Sequence, residues 1–352
     1  MKITLTSSPM RVNLYSDTQT LPTDAMRQAM ARAEVGDEQR RQDSTVERLC
    51  DRVADLLGKE AAVFLPSGAM CNVIALKTHT QPGDAVICQR ECHIVRAECG
   101  GAGLVSGVVI DPIDSTDGFF TAPQVAERVK HLSLGHYSPP PRLVCVEQTH
   151  NFAGGTVWPI DQLRGVTDVA REHGLATHMD GARLLNAAVA TGTPAADFAA
   201  TCDTVWIDFS KGLGAPVGAA LAGSAEFIDH ARRYKQMFGG AMRQAGIIAA
   251  GALHALDHHI DRLAEDHRLA TKLGQAIADI DGLALAGGMP QTNIVFFDVT
   301  RDDLSAADLA AKLNGAGVEM SVLHGRLRAV THRDVDEAGI EYAIHTLHAT
   351  MS

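Results

Sequence analysis

No two cysteines in this chain are spaced as Cys-x-x-Cys. Seven are scattered along it, Cys50, Cys71, Cys88, Cys92, Cys99, Cys145 and Cys202. An odd, unclustered set fits reduced thiols in a cytoplasmic protein better than a disulfide framework or a zinc ribbon. Positive charge is also in deficit: 31 Lys and Arg face 42 Asp and Glu, a net charge of −11. That balance argues against a nucleic-acid partner or an anionic membrane surface, both of which call for a basic face. No apolar run approaches the roughly 18 to 20 residues that cross a bilayer. The opening "MKITLTSSPMRVNLYSD" lacks the longer apolar stretch of a signal peptide. Repeats and low-complexity tracts are absent as well. GxxxxGK[ST] does not occur, so Lys211, between Ser210 and Gly212, is not a P-loop lysine. HExxH does not occur either, and His254 and His258 in "LHALDHHID" read as a solvated helix face before they read as a metal site. Cys88, Cys92, His93 and Cys99 match no common zinc spacing, so no metal is expected.

What is present is alternation. Helix-like "PTDAMRQAMARA" and "STVERLCDRVADLLGKE", the second with an N-cap signal at Ser44, precede the strand-like "AAVFL". Further strand-like runs follow at "DAVICQ", "GLVSGVVI", "PRLVCVEQ", "GLATHMD" and "DTVWIDF", separated by helical patterns such as "APQVAERVKHL" and "DQLRGVTDVAREH". Such alternation predicts an α/β fold with a mostly parallel sheet covered on both faces. From about Ala245 the text becomes helix-rich and then mixed. We expect a large domain over residues 1–245 and a smaller α+β domain over 246–352.

In an open parallel sheet, ligands bind beyond the carboxyl ends of the strands. The polar residues at such ends are Ser67 and Gly68 after "AVFLP", His93 after "AVICQ", His150 after "LVCVEQ", Asp180 after "GLATHM" and Lys211 after "TVWIDF". Each has a plain structural reading. Lys211 suits a solvated turn, Asp180 a helix N-cap, and Pro-Ser-Gly before a helix is common. Together they offer an amine for covalent chemistry, a carboxylate for a pyridinium nitrogen, and free backbone N–H groups for a phosphate.

A resemblance gathers them. "LYSDTQTLPTDAMRQAM", "VGDE", "FLPSGAMCN", "HTQPGD", "ECHI", "EQTHNFAGG", "HMDGARLLNA", "FSKGLGAPVGAALAG", "FGGAMRQAG" and "RAVTH" occur in the order found in the L-threonine aldolase family, over nearly the whole chain. The resemblance implies the pyridoxal-phosphate-dependent transferase fold of the aspartate aminotransferase type. It implies Lys211 as the residue that carries pyridoxal 5'-phosphate, Asp180 as partner of its ring nitrogen and His93 as the ring stacked on it. Ser67, Gly68 and Ala69 would cup the phosphate. Ser16, Arg183 and Arg328 resemble the group that grips the substrate carboxylate, and His150 the histidine near the substrate hydroxyl, hence the first choice of base with His93 second. Arg243 resembles a phosphate-side arginine supplied by another subunit, so a homotetramer or homodimer is expected.

The implied activity is cleavage of L-threonine, L-allo-threonine or another β-hydroxy-α-amino acid to glycine and an aldehyde. Transamination or β-elimination on the same fold, and cofactor binding without turnover, are the alternatives. Three positions depart from the family pattern. Arg40 stands where a tyrosine is common, Ser44 replaces a proline, and Ala69 replaces the threonine of "PSGTM". Arg40, with Arg41 beside it, raises the expectation of a polar or bulkier substrate side chain. Gly212, Gly214 and Ala215 are expected to let the backbone pass close to a flat cofactor.

Overall fold

The computed structural model describes residues 11–352. The opening "MKITLTSSPM", on which the signal-peptide expectation partly rests, lies outside the described residues. No helix among the described residues is long and apolar enough to cross a membrane.

Among the described residues, thirteen strands form three sheets. The central sheet holds β2 (Ala61–Leu65), β3 (Ala85–Gln89), β4 (Val109–Ile113), β5 (Pro141–Glu147), β6 (Ala176–Gly181), β7 (Thr204–Asp208) and β8 (Ala219–Gly223), in the order β2-β8-β7-β6-β5-β3-β4. Only β8 runs against its neighbours, so the expected mostly parallel sheet is present. Near-continuous apolar runs such as "AVFL" and "TVWI" are what a sheet covered on both faces requires. A four-stranded antiparallel sheet follows, in the order β12-β13-β10-β9, from β9 (Leu283–Leu285), β10 (Ile294–Val299), β12 (Ser321–Leu323) and β13 (Arg326–Val330). The short β1 (Val12–Asn13) and β11 (Val318–Glu319) pair in parallel.

One sequence expectation is corrected here, and one further strand is present that the sequence reading did not name. "GLVSGVVI" is not one strand: Ala102–Ser106 forms a helical turn and β4 begins at Val109. Pro112 sits within β4, which an edge strand tolerates because one side of its ladder has no partner. β8, "AALAG", carries no strand signal in sequence because alanine and glycine have low strand propensity; its burial between β2 and β7 decides the matter.

The expected break at residue 245/246 falls inside the large core. Ala249, Ala252, Ala255, Leu256 and Leu263 pack with Val46, Leu49 and Val53 of that core. The smaller core starts at Leu269 and also takes Val12 and Leu14 from the other end of the chain. The helix Gly246–His258 therefore packs with the sheet, and Val12 and Leu14 with the small domain.

The N-cap of helix Ser44–Leu57 is Asp43 and not Ser44. Its buried carboxylate accepts the N–H groups of Val46 (3.1 Å), Gly36 (3.2 Å) and Gly246 (2.8 Å), tying the "VGDE" loop to the helix that follows "FGGAMRQAG". Asp43→Ala strips all three donors of their partner. It is expected to cost about 3 kcal/mol in urea unfolding, against about 0.5 kcal/mol or less for Ser44→Ala, whose hydroxyl makes an exposed contact with Glu34.

Candidate active site

Parallel register brings Glu147, Asp180 and Trp206 into one row across β5, β6 and β7 at their carboxyl ends. Beyond that row opens a cleft lined by Ser16, His93, Asn151, Arg183, Lys211 and Arg328 together with the row itself. The cleft thus gathers residues from both ends of the sequence.

One group of side chains at the cleft is anionic. Asp180 accepts from Asn72 Nδ2 (2.8 Å) and from the Ala182 N–H (3.1 Å). Burial and the neighbouring Glu147 push its carboxyl up to about 6, against the pull of His93, Asn72 and Lys211. Glu98 accepts from Asn72 (2.6 Å) and lies 2.8 Å from His93 Nδ1, while its Oε2 is buried with no hydrogen-bond partner among the described residues. His93 begins a short helix whose first N–H donates to Glu147 Oε2 (2.7 Å). Burial alone would lower the His93 imidazole, but the bond to Glu98 and the charges of Asp180 and Glu147 leave it raised. With Nδ1 committed to Glu98, Nε2 is the nitrogen left to exchange a proton with a ligand. His93, Glu98 and Asp180 bring one donor atom each within 4.8 Å of one another, yet these hydrogen bonds already occupy them. No group of three or more such donors among the described residues includes His254 or His258.

A second group carries the cations. Lys211 follows β7, and its Nζ donates to Asp208 (2.7 Å), 5.5 Å from the centre of the Trp206 ring. Arg183 forms a bidentate pair with the fully buried Asp17, 2.7 Å on each arm. Burial would raise Asp17, but Arg183 holds it well below the usual carboxylate range. Arg328, on β13, has no carboxylate partner among the described residues. It donates to Asn151 Oδ1 (3.1 Å) and the Tyr15 carbonyl (3.2 Å), and its Nε is left without a partner. Burial, then the adjacent Arg183, pulls the guanidinium down to about 10. A carboxylate entering the cleft would satisfy Arg328 first, because Arg183 is already matched.

Ser67 caps helix Gly68–His79 by accepting the Met70 N–H (3.3 Å), leaving the N–H groups of Gly68 and Ala69 outside the helical ladder. A Cβ on Gly68 would lie 2.3 Å from the Trp206 ring, so only glycine lets this helix start sit over Trp206. A phosphate fits such a terminus without a basic side chain.

Other expectations are placed differently. His150 is buried and is not among the side chains lining the cleft. Its Nδ1 accepts from the Ala153 N–H (3.2 Å), so its Nε2 carries the proton donated to Gln89 (3.0 Å). With both nitrogens engaged, it braces the loop after β5 and has no free nitrogen for a substrate. Arg40 is exposed and does not line the cleft; Arg243 is exposed and pairs with Asp37 (3.0 Å). Gly212 and Gly214 also serve the fold. A Cβ on Gly212 would meet Leu263 at 2.8 Å, and Gly214 has φ +75°, so these glycines allow helix packing and a left-handed turn behind Lys211. Sequence reading missed Asp17, Asn72, Glu98, Glu147, Asn151 and Trp206. Glu147 and Trp206 were open to the strand-end argument; Asn72 and Glu98 carry no local signal.

Asp180 yields a test of the anionic group. Its folded carboxyl is raised, so the charged form opposes folding. That penalty is absent below about pH 4, grows toward pH 6 and is complete above it. Asp180→Asn is expected to melt several degrees higher than the cofactor-free parent at pH 8 and at the same temperature near pH 4, measured by calorimetry.

The sequence profile described as Beta-eliminating lyase matches residues 13–302. The chain is similar to the low specificity L-threonine aldolase of Escherichia coli K12, 38% identical over 95% of this chain and 98% of that one. It is also similar to low-specificity L-threonine aldolase 1 of Arabidopsis thaliana, 35% identical over 97% and 96%. Among solved structures, the threonine aldolase of Leishmania major superposes with a TM-score of 0.82 at 22% identity, covering 97% and 100%. With cleft and comparisons in agreement, this chain belongs to the β-eliminating lyase family, among the low-specificity L-threonine aldolases.

Proposed function

We propose that this protein is a pyridoxal-phosphate-dependent aldolase that cleaves L-threonine, L-allo-threonine or a related β-hydroxy-α-amino acid to glycine and an aldehyde. The observation that carries the reading is that one cleft brings together buried carboxylates, an amine and a guanidinium short of acceptors. The cofactor matches it, with a ring nitrogen that gains from Asp180, a carbonyl carbon for Lys211 and a phosphate for the helix start at Ser67, Gly68 and Ala69. When bound, pyridoxal phosphate supplies an electrophilic carbon for amines and a cationic ring that takes up an electron pair released at an α-carbon.

The protein's own residues do the rest. Arg328 receives the substrate carboxylate, with Ser16 beside it, and so fixes which bond at the α-carbon is aligned for cleavage. Arg183 does not compete, because Asp17 holds both its arms; it shares Asn151 with Arg328 and orients it. His93, through Nε2, accepts the proton of the β-hydroxyl and returns one to the glycine product. Asp180 keeps a positive charge opposite it throughout. Arg41 pairs with Glu47 (2.6 Å) and Arg40 is exposed away from the cleft, so neither favours a polar substrate within one protomer.

We also infer a homodimer or homotetramer. Exposed Val35, Met237 and Ile247 lie in the same stretches of chain as Arg243 and offer apolar surface to a second copy, and sedimentation should find no monomer.

Glycine release from threo and erythro pairs of β-hydroxy amino acids tests the activity. Lys211→Ala is expected to abolish it; a keto acid product in place of glycine would sink the reading. Arg328→Lys is expected to raise KM by about tenfold or more. With His93 as the base, activity should fall on acidification through its raised value. His93→Asn should remove that limb of the pH profile, and His150→Phe should keep it.

A further inference from the structure

Behind Asp180 lies a polar chain that the proposed reaction does not use. It is built by periodicity. Asp180 and His178 are two apart on β6 and share a face; Trp206 and Thr204 do the same on β7. Asn72 and His79, two turns apart on helix Gly68–His79, cover that face. The contacts are Asn72 Nδ2 to Asp180 Oδ2 (2.8 Å), His178 Nε2 to Asn72 Oδ1 (3.2 Å), His178 Nδ1 to Thr204 Oγ1 (2.8 Å) and His79 Nε2 to Thr204 Oγ1 (2.8 Å). His79 is half-buried, stacked on Phe227, and opens onto a surface groove with Lys59, Asp203 and Ser224 at the other end of the strands.

Every donor in the chain points one way. Trp206 Nε1 can only donate, and it donates to Asn72 Oδ1 (2.7 Å). Asn72 Nδ2 meets two carboxylates, Asp180 and Glu98, so the amide has a single orientation. His178 must then carry its proton on Nε2 to donate to Asn72 Oδ1, which makes Nδ1 an acceptor. Thr204 donates to that nitrogen and is left to accept from His79 Nε2–H. Both imidazoles stay neutral, as this pattern requires: burial first, and then His79 for His178, brings them down to about 4 for His79 and about 3 for His178.

We propose that His79, Thr204, His178 and Asn72 form an oriented hydrogen-bond chain whose function is to hold Asp180 as a carboxylate opposite the cofactor's ring nitrogen. These four are positioning residues, since none of them lines the cleft. Aligned donors polarise one another and favour the charged acceptor at the end. The groups facing Asp180 from other elements are Glu147, Glu98, His93 and Lys211. The two glutamates oppose its charge, and the chain offsets them together with Lys211 and, when it is protonated, His93. The inference rests on the proposed cofactor.

The test uses the loaded enzyme and its visible absorption band, not its turnover. A weaker hold on Asp180 leaves the ring less cationic. The imine nitrogen at Lys211 then keeps its proton to higher pH. Thr204→Val, which removes the hydroxyl at nearly constant volume, is expected to move the pH midpoint of the band up by about half a unit or more. Thr204→Ser should restore the parent midpoint. An unmoved midpoint in Thr204→Val overturns the proposal. If Thr204→Val does not fold, His79→Leu and His79→Gln at the half-buried end replace it. A shift in Leu absent in Gln supports the chain, and equal midpoints overturn it. A parent protein with no visible band at any pH would defeat the cofactor reading instead, a separate failure.

Discussion

A carboxylate kept where water cannot solvate it is the constraint around which this protein is arranged. Asp180 stands in a row with Glu147 and Trp206 because three parallel strands end in register, and two acids side by side in a buried cleft are costly unless cations face them. His93, Lys211 and Asn72 supply part of that compensation. A protonated ring nitrogen beside Asp180 would offset the rest. The same row places Trp206 beneath the helix that begins at Gly68, which explains why that helix start accepts no side chain.

The second organising contact is the buried pair of Asp17 and Arg183. Asp17 also accepts from Asn293 (3.1 Å) in the small domain, and the Val330 N–H donates to the Leu14 carbonyl (2.9 Å). The segment from Val12 to Thr20 is thus a strap between the two cores, and the cleft lies beneath it. Satisfying Arg183 internally while leaving Arg328 short of acceptors makes one guanidinium structural and the other receptive. A buried ion pair is weak evidence for stability, but it is a sound way to fix the geometry of a neighbour.

Much of this was legible beforehand for physical reasons. Strand-helix alternation dictated the parallel sheet, and the strand-end rule then pointed to Asp180, Lys211 and His93, which line the cleft, and to Ser67, which caps the neighbouring helix and does not line it. It failed at His150, which follows β5 closely but turns inward to Gln89, because sequence carries no side-chain direction through an irregular loop. It failed at β8, where buried alanines hide a strand, and at Ser44, where the neighbouring Asp43 is the better cap because three N–H groups converge on it. The chain behind Asp180 was half visible: "THMD" and "TVW" show the period of two, but nothing in "GAMCNVIALKTH" says that Asn72 and His79 face it. Arg183 and Arg328 look equivalent as arginines; only the structure, by matching one with Asp17, separates them.

The proposed function stands on Lys211 carrying the cofactor in a cleft that Asp180 polarises. Borohydride reduction of the purified protein followed by peptide mass mapping tests it most directly. The expected result is one phosphopyridoxyl adduct, on the peptide containing Lys211. An adduct on another lysine, or none in protein saturated with pyridoxal phosphate, would contradict the account.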